Sequence, residues 1–237
     1  MRMVTASGRS RWPYVIGAVI LVAAISGGVA YNATRPDTRP VPLTSPTTAT
    51  STPKATSSIT DLADDVAPTG CLGGLDRNLD MVLAAQESAK HTTYGAVEAA
   101  TAIYRWLWQY PTPSKSESDV VGADIISIAA PEVWRDVTAQ YESDFWLQKI
   151  SEYKTRDGEF HTSSTNGLWR VTEQSTVDEV NVELSLGTVI DGALSPTSST
   201  VSGFTMVWES GGWHLKSGFG VDETRLLSGG TQFTGGC

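Results

Sequence analysis

The residues able to do chemistry in this chain are few and far apart. Its three histidines are His91, His161 and His214, and none stands in a HExxH or His-x-His spacing, so no metal site is expected. His214 alternates with Trp213 and Leu215 and therefore faces away from them, toward solvent or a helix, as an ordinary histidine rather than a general base. The patterns G-x-S-x-G, GxxxxGK[ST] and GxGxxG are absent, which removes the nucleophile elbow and the common phosphate cradles. Asn181, Glu183, Thr205 and Glu209 alternate with apolar strand residues and are expected on the solvated side of a sheet. Asp136 and Asp144 fall off the apolar stripe of their own helical stretch. No acid is aimed into an apolar interior, where a carboxylate base with a raised pKa would have to sit. The expectation is a protein that is not an enzyme and carries no cofactor.

The two cysteines, Cys71 and Cys237, bracket the folded part of the chain. Outside the cytoplasm such a pair can persist as a disulfide, and domain ends are often close in space. An internal bridge is the first expectation. Pairing between copies through the Thr234-Gly235-Gly236-Cys237 tail, or free thiols, are the alternatives. The Gly-rich stretch from Gly229 to Gly236 lacks a strand-to-helix setting and reads as a loose end.

The elements that hold these residues change character near Gly158. Before it the period is helical. Val97, Ala100, Tyr104, Leu107 and Trp108 form one stripe of a helix over 94–110, with Thr93 as N-cap and Pro111 as stop. Ile103 and Trp106 lie off that stripe, so this helix is covered on more than one side. A second helical stretch opens at Pro131, with Trp134, Val137 and Tyr141 as its stripe, and resumes with Phe145, Trp146 and Ile150 as one helix or two. The 120–130 segment is a short helix or a turn. After Gly158 the period is two. Val180, Val182, Leu184 and Leu186 mark one strand, Phe204, Met206 and Trp208 another, and Trp213, Leu215 and Phe219 the strand returning after Ser210-Gly211-Gly212, whose Gly-Gly pair supplies the positive φ values of a hairpin. Trp169 and Val171 belong to an earlier strand. Helices followed by an antiparallel meander of about four strands make an α+β domain with helices on one face of a curved sheet.

The remainder of the chain divides cleanly. Residues 1–13 hold Arg2, Arg9 and Arg11 and no acid, and the 18 residues Tyr14–Tyr31 carry no charged side chain. At ~1.5 Å per residue that run spans about 27 Å as a helix, enough for one membrane crossing with the N-terminus cytoplasmic. A cleaved signal peptide is the rival reading. Residues 32–70 form a linker, and its first 29 residues hold 9 Thr, 5 Pro and 4 Ser with no aromatic, too little to bury against chain entropy. The extracytoplasmic α+β domain covers 71–237, with 11 Lys+Arg against 22 Asp+Glu. Such an acidic domain is a poor ligand for phosphate backbones, so nucleic acid is not an expected partner. Of the 8 Trp, Trp12 is an interfacial anchor and the others are core, one or two left exposed marking a partner surface.

Helices first, then strands ending in Phe204-Thr-Met-Val-Trp208-Glu-Ser-Gly-Gly-Trp213-His-Leu215, resemble the nuclear-transport-factor-two-like cone fold. With its basic N-terminus, single membrane helix and Thr/Pro stalk, the chain is similar to small actinobacterial membrane proteins, which in turn resemble the bitopic scaffold component of type IV secretion and conjugation systems. The resemblance implies a non-enzymatic assembly role at the cell membrane, with protein partners in the envelope and self-association. The alternative is a tethered or secreted cone domain that binds a ligand or acts as an isomerase. A deep polar cavity would favour that alternative, and a Trp-filled cone would favour scaffolding.

Overall fold

The computed structural model describes residues 67–153 and 158–237. The basic N-terminus 1–13 with Trp12, the apolar run 14–31 and the linker as far as residue 66 lie outside the described residues. Among the described residues no helix is long and apolar enough to cross a membrane.

The order of elements is helical and then extended. Helix α1 (Leu79–Ser88) starts at Asn78, whose Oδ1 accepts from Met81 N at 3.0 Å. Helix α2 (Thr93–Leu107) starts one residue earlier than expected, because Thr92 rather than Thr93 turns its Oγ1 to Gly95 N at 3.1 Å. It also stops earlier. Gln109 and Tyr110 leave the helix as a two-residue strand β1 that pairs with His161 and Phe160, so sheet pairing outcompetes the helical pattern there. Helix α3 (Lys115–Val120) begins with a capping box between Ser114 and Glu117, and a π-helical turn over Val121–Ile125 continues it. The stretch expected as one helix or two is three: α4 (Glu132–Arg135), α5 (Val137–Tyr141) and α6 (Asp144–Tyr153). Asp136 causes the first break, leaving helical geometry to cap α5 by accepting from Ala139 N at 3.0 Å.

Five antiparallel strands make a curled half-barrel in the order β1-β2-β3-β4-β5, built from β2 (Phe160–Val171), β3 (Glu179–Ile190), β4 (Ala193–Glu209) and β5 (Gly212–Phe219) beside β1. The expected count of about four omitted β1. Helix α7 (Glu223–Gly229) follows, and strand β6 (Thr231–Gln232) pairs with β2 at Trp169 and Leu168. The tail read as a loose end is therefore a strap. The hairpin before β5 turns on Ser210 at φ 54° and Gly211 at φ 88°, so the two positive angles fall one residue earlier than the Gly-Gly pair.

Register explains the core. Val180, Met206 and Leu215 stand side by side across three strands, as do Val182 and Phe204, and Trp169 and Leu184. These side chains are buried beneath α2, whose Ala96, Val97, Ala99, Ala100, Ile103 and Trp106 are buried in turn, as the off-stripe residues required. Phe219 breaks the expected alternation. A bulge at Lys216 shifts the register, so Phe219 lies over Gly203 on the reverse face while Gly218 occupies the core side beneath Trp134.

The reverse face is less solvated than alternation alone implies. Glu183, Ser185 and Thr205 are 5%, 7% and 8% exposed. The Glu183 carboxylate pairs with Arg170 at 2.7 Å directly across β2 and β3, and Thr205 Oγ1 donates to Asn181 at 2.8 Å. Helix α7 lies over the same face, anchored by the fully buried Leu226.

Candidate functional site

In a curled sheet roofed by helices, the space between the two layers is where a ligand would be held. Here that space is occupied by aromatic side chains. Trp106, Trp108, Trp213 and Phe160 are among the largest fully buried residues. Trp108 meets Trp146 edge-on at 4.3 Å, Trp146 meets Tyr141 at 5.2 Å, and Tyr141 meets Trp106 at 6.3 Å, an edge-to-face chain of the kind aromatic quadrupoles favour. Tyr104 packs edge-on against Phe204 at 5.3 Å on the other side of α2. The Tyr141 hydroxyl donates to Leu107 O at 3.0 Å, and burial holds its pKa well above the ordinary tyrosine value. It titrates too high to move protons near neutrality.

One cation is sealed at the edge of this interior. Arg105 of α2 has no exposed surface, and its Nη1 donates to Leu72 O and to Gly74 O, the latter at 2.8 Å. Burial, with the charge of Arg77 second, brings its pKa down to about 10. It remains a cation at any ordinary pH and ties the segment beside Cys71 to α2. His161 stands in the same positive environment. Burial, then Arg77 and Arg105, push its imidazole down to about 4, so it is neutral near pH 7 and too weak a base for general base catalysis.

The nearest thing to a proton-transfer constellation is at the sheet rim. A cleft of about 250 Å³ is lined by Ala123, Asp124, Ile126, Ile128, Glu209, Ser210 and His214. Glu209 Oε1 lies 3.9 Å from His214 Nδ1 and accepts from Ile128 N at 3.1 Å. Gln86 reaches in from α1, donating through Nε2 to Trp213 O at 3.1 Å and lying 3.4 Å from the His214 ring nitrogens. His214 does face away from Trp213 and Leu215, toward a helix. Glu209 and His214 flank one turn, so their proximity was readable from the sequence, whereas Gln86, Asp124 and Ile128 reach the cleft only through the fold. His91 is stacked on Trp208 at 4.3 Å and 7° between planes, with its Nε2 2.9 Å from Asp178. The three histidines therefore occupy three different environments, and no two form a pair.

The cysteines do come together. Cys71 and Cys237 form a disulfide across 166 positions, with Cα atoms 5.1 Å apart. The internal pairing is the one present, beside a parallel bridge between Thr69 and Thr234. Asp136 serves as a helix cap, and Asp144 occupies the first turn of α6. Among the described residues, no group of three or more His, Cys, Asp or Glu is placed to hold a metal ion. No described tryptophan is exposed. Trp134 and Trp208 are half-buried against the core, and the exposed large apolar side chains are aliphatic, led by Ile128 at 83% and Leu75 at 76%. Any partner surface marked by apolar exposure is thus aliphatic rather than aromatic. No family model matches the chain, no curated protein matches it, and no solved structure matches it.

Proposed function

We propose that this chain is a non-catalytic scaffold or assembly protein of a cell-envelope complex, with conjugative transfer machinery as the favoured instance. On this reading residues 14–31 anchor it in the membrane, the Thr/Pro/Ser-rich linker is a stalk that ends before Thr69 and Gly70, which are tied to Thr234, and the acidic domain is a cone of the nuclear-transport-factor-two-like kind standing outside the cytoplasm. The observation that carries the proposal is the aromatic filling of the interior: Trp106, Trp108 and Trp213 are each 0–2% exposed where a cone-fold enzyme would hold its substrate. The disulfide supports the compartment, since such a bond persists in oxidising surroundings. A domain whose sheet and helices are closed against each other acts through its outer surface, and its partners are proteins.

The test is crosslinking in intact cells, followed by purification of the tagged full-length chain from the membrane fraction. Recovery of a transfer ATPase or a channel subunit is the expected result. Recovery of the chain alone, or its presence in the medium, overturns the assembly role. The Glu209–His214 cleft favours a second reading, a tethered isomerase-like or ligand-binding cone. Under scaffolding, a Glu209→Gln/His214→Asn variant recovers the same partners as the parent; under the second reading, only the parent turns over or binds a small molecule.

A further inference from the structure

The reverse face of the sheet carries two irregularities at one end. The β2–β3 register shifts between Ser163 and Leu168, and the β3–β4 register shifts between Gly187 and Val189. Asn166 lies inside the first and stands at φ 59°. Departures of this kind from the regular ladder re-aim side chains and are frequent beside binding sites. With α7 lying over the same face, they frame an open pocket of about 450 Å³, a size that holds small ligands. Gly187 lets Leu194 lie against the sheet there, since a Cβ at Gly187 would stand 2.8 Å from Leu194 Cδ1.

The pocket is polar but nearly uncharged. Among the residues lining it, Glu223 is the one ionisable group, and no Lys, Arg, His or aromatic ring takes part. The Glu223 carboxylate has neither a cation nor a hydrogen-bond donor among the described residues, and burial raises its pKa above the usual carboxylate value. Ser185 is 7% exposed and lines the pocket, yet its hydroxyl has no hydrogen-bond partner among the described residues. The Ser199 hydroxyl and the Asn166 amide are unpaired in the same sense. A buried polar group without a partner costs stability, so four free groups around one pocket are poor structural parts and good recognition parts. Leu194 and Leu227, 37% and 42% exposed, supply an apolar side.

We propose that this pocket binds a neutral pyranose sugar, as a free glycoside or as one unit of a glycan, with its hydroxyls on Glu223, Asn166, Ser185 and Ser199 and its C–H face against Leu194 and Leu227. The chemistry matches group by group. Two hydroxyls and an amide each donate and accept, and a carboxylate accepts from two neighbouring O–H groups, which is what a vicinal diol asks for. An anion would meet no cation here. A simple cation would use Glu223 and leave the three neutral groups unpaired. One carboxylate gives binding without cleavage, because glycoside hydrolysis uses a pair of them. This site is independent of the assembly role and lies on the face away from the Trp-filled interior.

The test uses full-length chain, with leucine methyls and amides isotope-labelled, in a detergent that carries no sugar. Methyl glucopyranoside, methyl mannopyranoside and methyl galactopyranoside are titrated in turn and followed by NMR. At least one is expected to give saturable shifts at the Leu194 and Leu227 methyls and the Asn166 side-chain amide, and the matching disaccharide binding more tightly than the monosaccharide assigns the site to a glycan chain, equal or weaker binding to a free glycoside. No saturable shift with any of the three overturns the proposal. So does a response that glycerol reproduces at equal concentration, or tighter binding of N-acetyl-lysine methylamide, which would make the site a seat for a basic side chain. Glu223→Ala is expected to weaken the sugar by roughly tenfold to a hundredfold, the worth of a hydrogen bond to a charged group, and Asn166→Gly by about threefold to tenfold. Glycine adopts the positive φ of residue 166 freely, so the second variant keeps its fold even where the first does not. A folded variant that binds the sugar as the parent does overturns the proposal as well.

Discussion

Replacing both Cys71 and Cys237 by serine perturbs the unfolded chain far more than the folded one. In the folded domain the two ends are held together without the sulfur bond: Gly70 N donates to Thr234 O at 2.8 Å, and Arg105 holds the carbonyls of Leu72 and Gly74. The unfolded chain has no such tie, and a crosslink across 166 positions removes loop entropy worth roughly 5 kcal/mol in the chain-entropy treatment, an upper figure. At about 2–4 °C of Tm per kcal/mol for a domain of this size, the double variant should melt roughly 10–20 °C below the parent in non-reducing buffer. The assay is thermal unfolding of full-length protein followed by near-ultraviolet circular dichroism, which the buried tryptophans dominate. A reductant should bring the parent down to the variant and leave the variant unmoved. A variant melting within about 2 °C of the parent would refute the reasoning, because the bridge would then constrain nothing in the unfolded ensemble.

Three further outcomes follow from the same geometry. Glu183→Gln leaves the half-buried Arg170 guanidinium without its carboxylate at 2.7 Å, and should lower the urea-unfolding free energy by at most about 3–5 kcal/mol, with an Arg170→Met/Glu183→Leu pair recovering most of it. Trp106→Ala, at a side chain with no exposure, should cost about 3–5 kcal/mol in the same assay; a loss under ~1 kcal/mol would mean the interior is not packed as described. His161 has a folded pKa of about 4 against 6.5 unfolded, so the unfolded state takes up the extra proton first and stability falls as pH drops from 6.5 to 4. His161→Asn should flatten the melting-temperature profile over that window, and an unchanged slope there would remove His161 as a cause.

What could be read from the sequence was whatever depends on period. The strand carrying Val180 to Leu186 and the stripe of α2 are set by side-chain alternation that no neighbour overrides, and both stand where expected. The misses share a different cause. Gln109 and Tyr110 fit a helix locally but pair with β2, Asp136 prefers capping α5 to continuing α4, and the bulge at Lys216 puts Phe219 on the reverse face. Each is a competition between local preference and a partner brought from far along the chain, which periodicity does not register. The strap is the clearest case. Its Gly-rich composition signals only freedom of backbone, and the order of 231–237 comes from the β2 edge and from Cys71. The rim cleft was half visible, since Glu209 and His214 flank one turn, while the groups completing it lie more than eighty residues upstream.

The structural employment of the charged and titratable groups bears on what kind of surface remains for function. Glu117 closes a capping box, and although burial pushes its carboxyl up, hydrogen bonds from Ser114 and from Leu79 N outweigh that and leave it below the usual carboxylate value. Asp136 and Asp222 cap helices, Glu183 neutralises Arg170, Glu209 receives the Ile128 amide, and Arg105 holds the loop beside the disulfide. A side chain fixed by such a bond has a geometry to maintain, and chemistry that altered its charge would loosen the element it holds. The groups free of that duty lie outside, on a domain with twice as many acids as bases and with aliphatic residues such as Ile128 and Leu75 standing in water. Under the proposed assembly role, an acidic field with isolated aliphatic knobs would suit a protein partner that presents basic residues around shallow apolar pockets. Ile128→Asp tests this without disturbing the core: it should abolish recovery of the crosslinked partner while leaving the melting temperature within about 2 °C of the parent. Unaltered recovery would take Ile128 out of the interface.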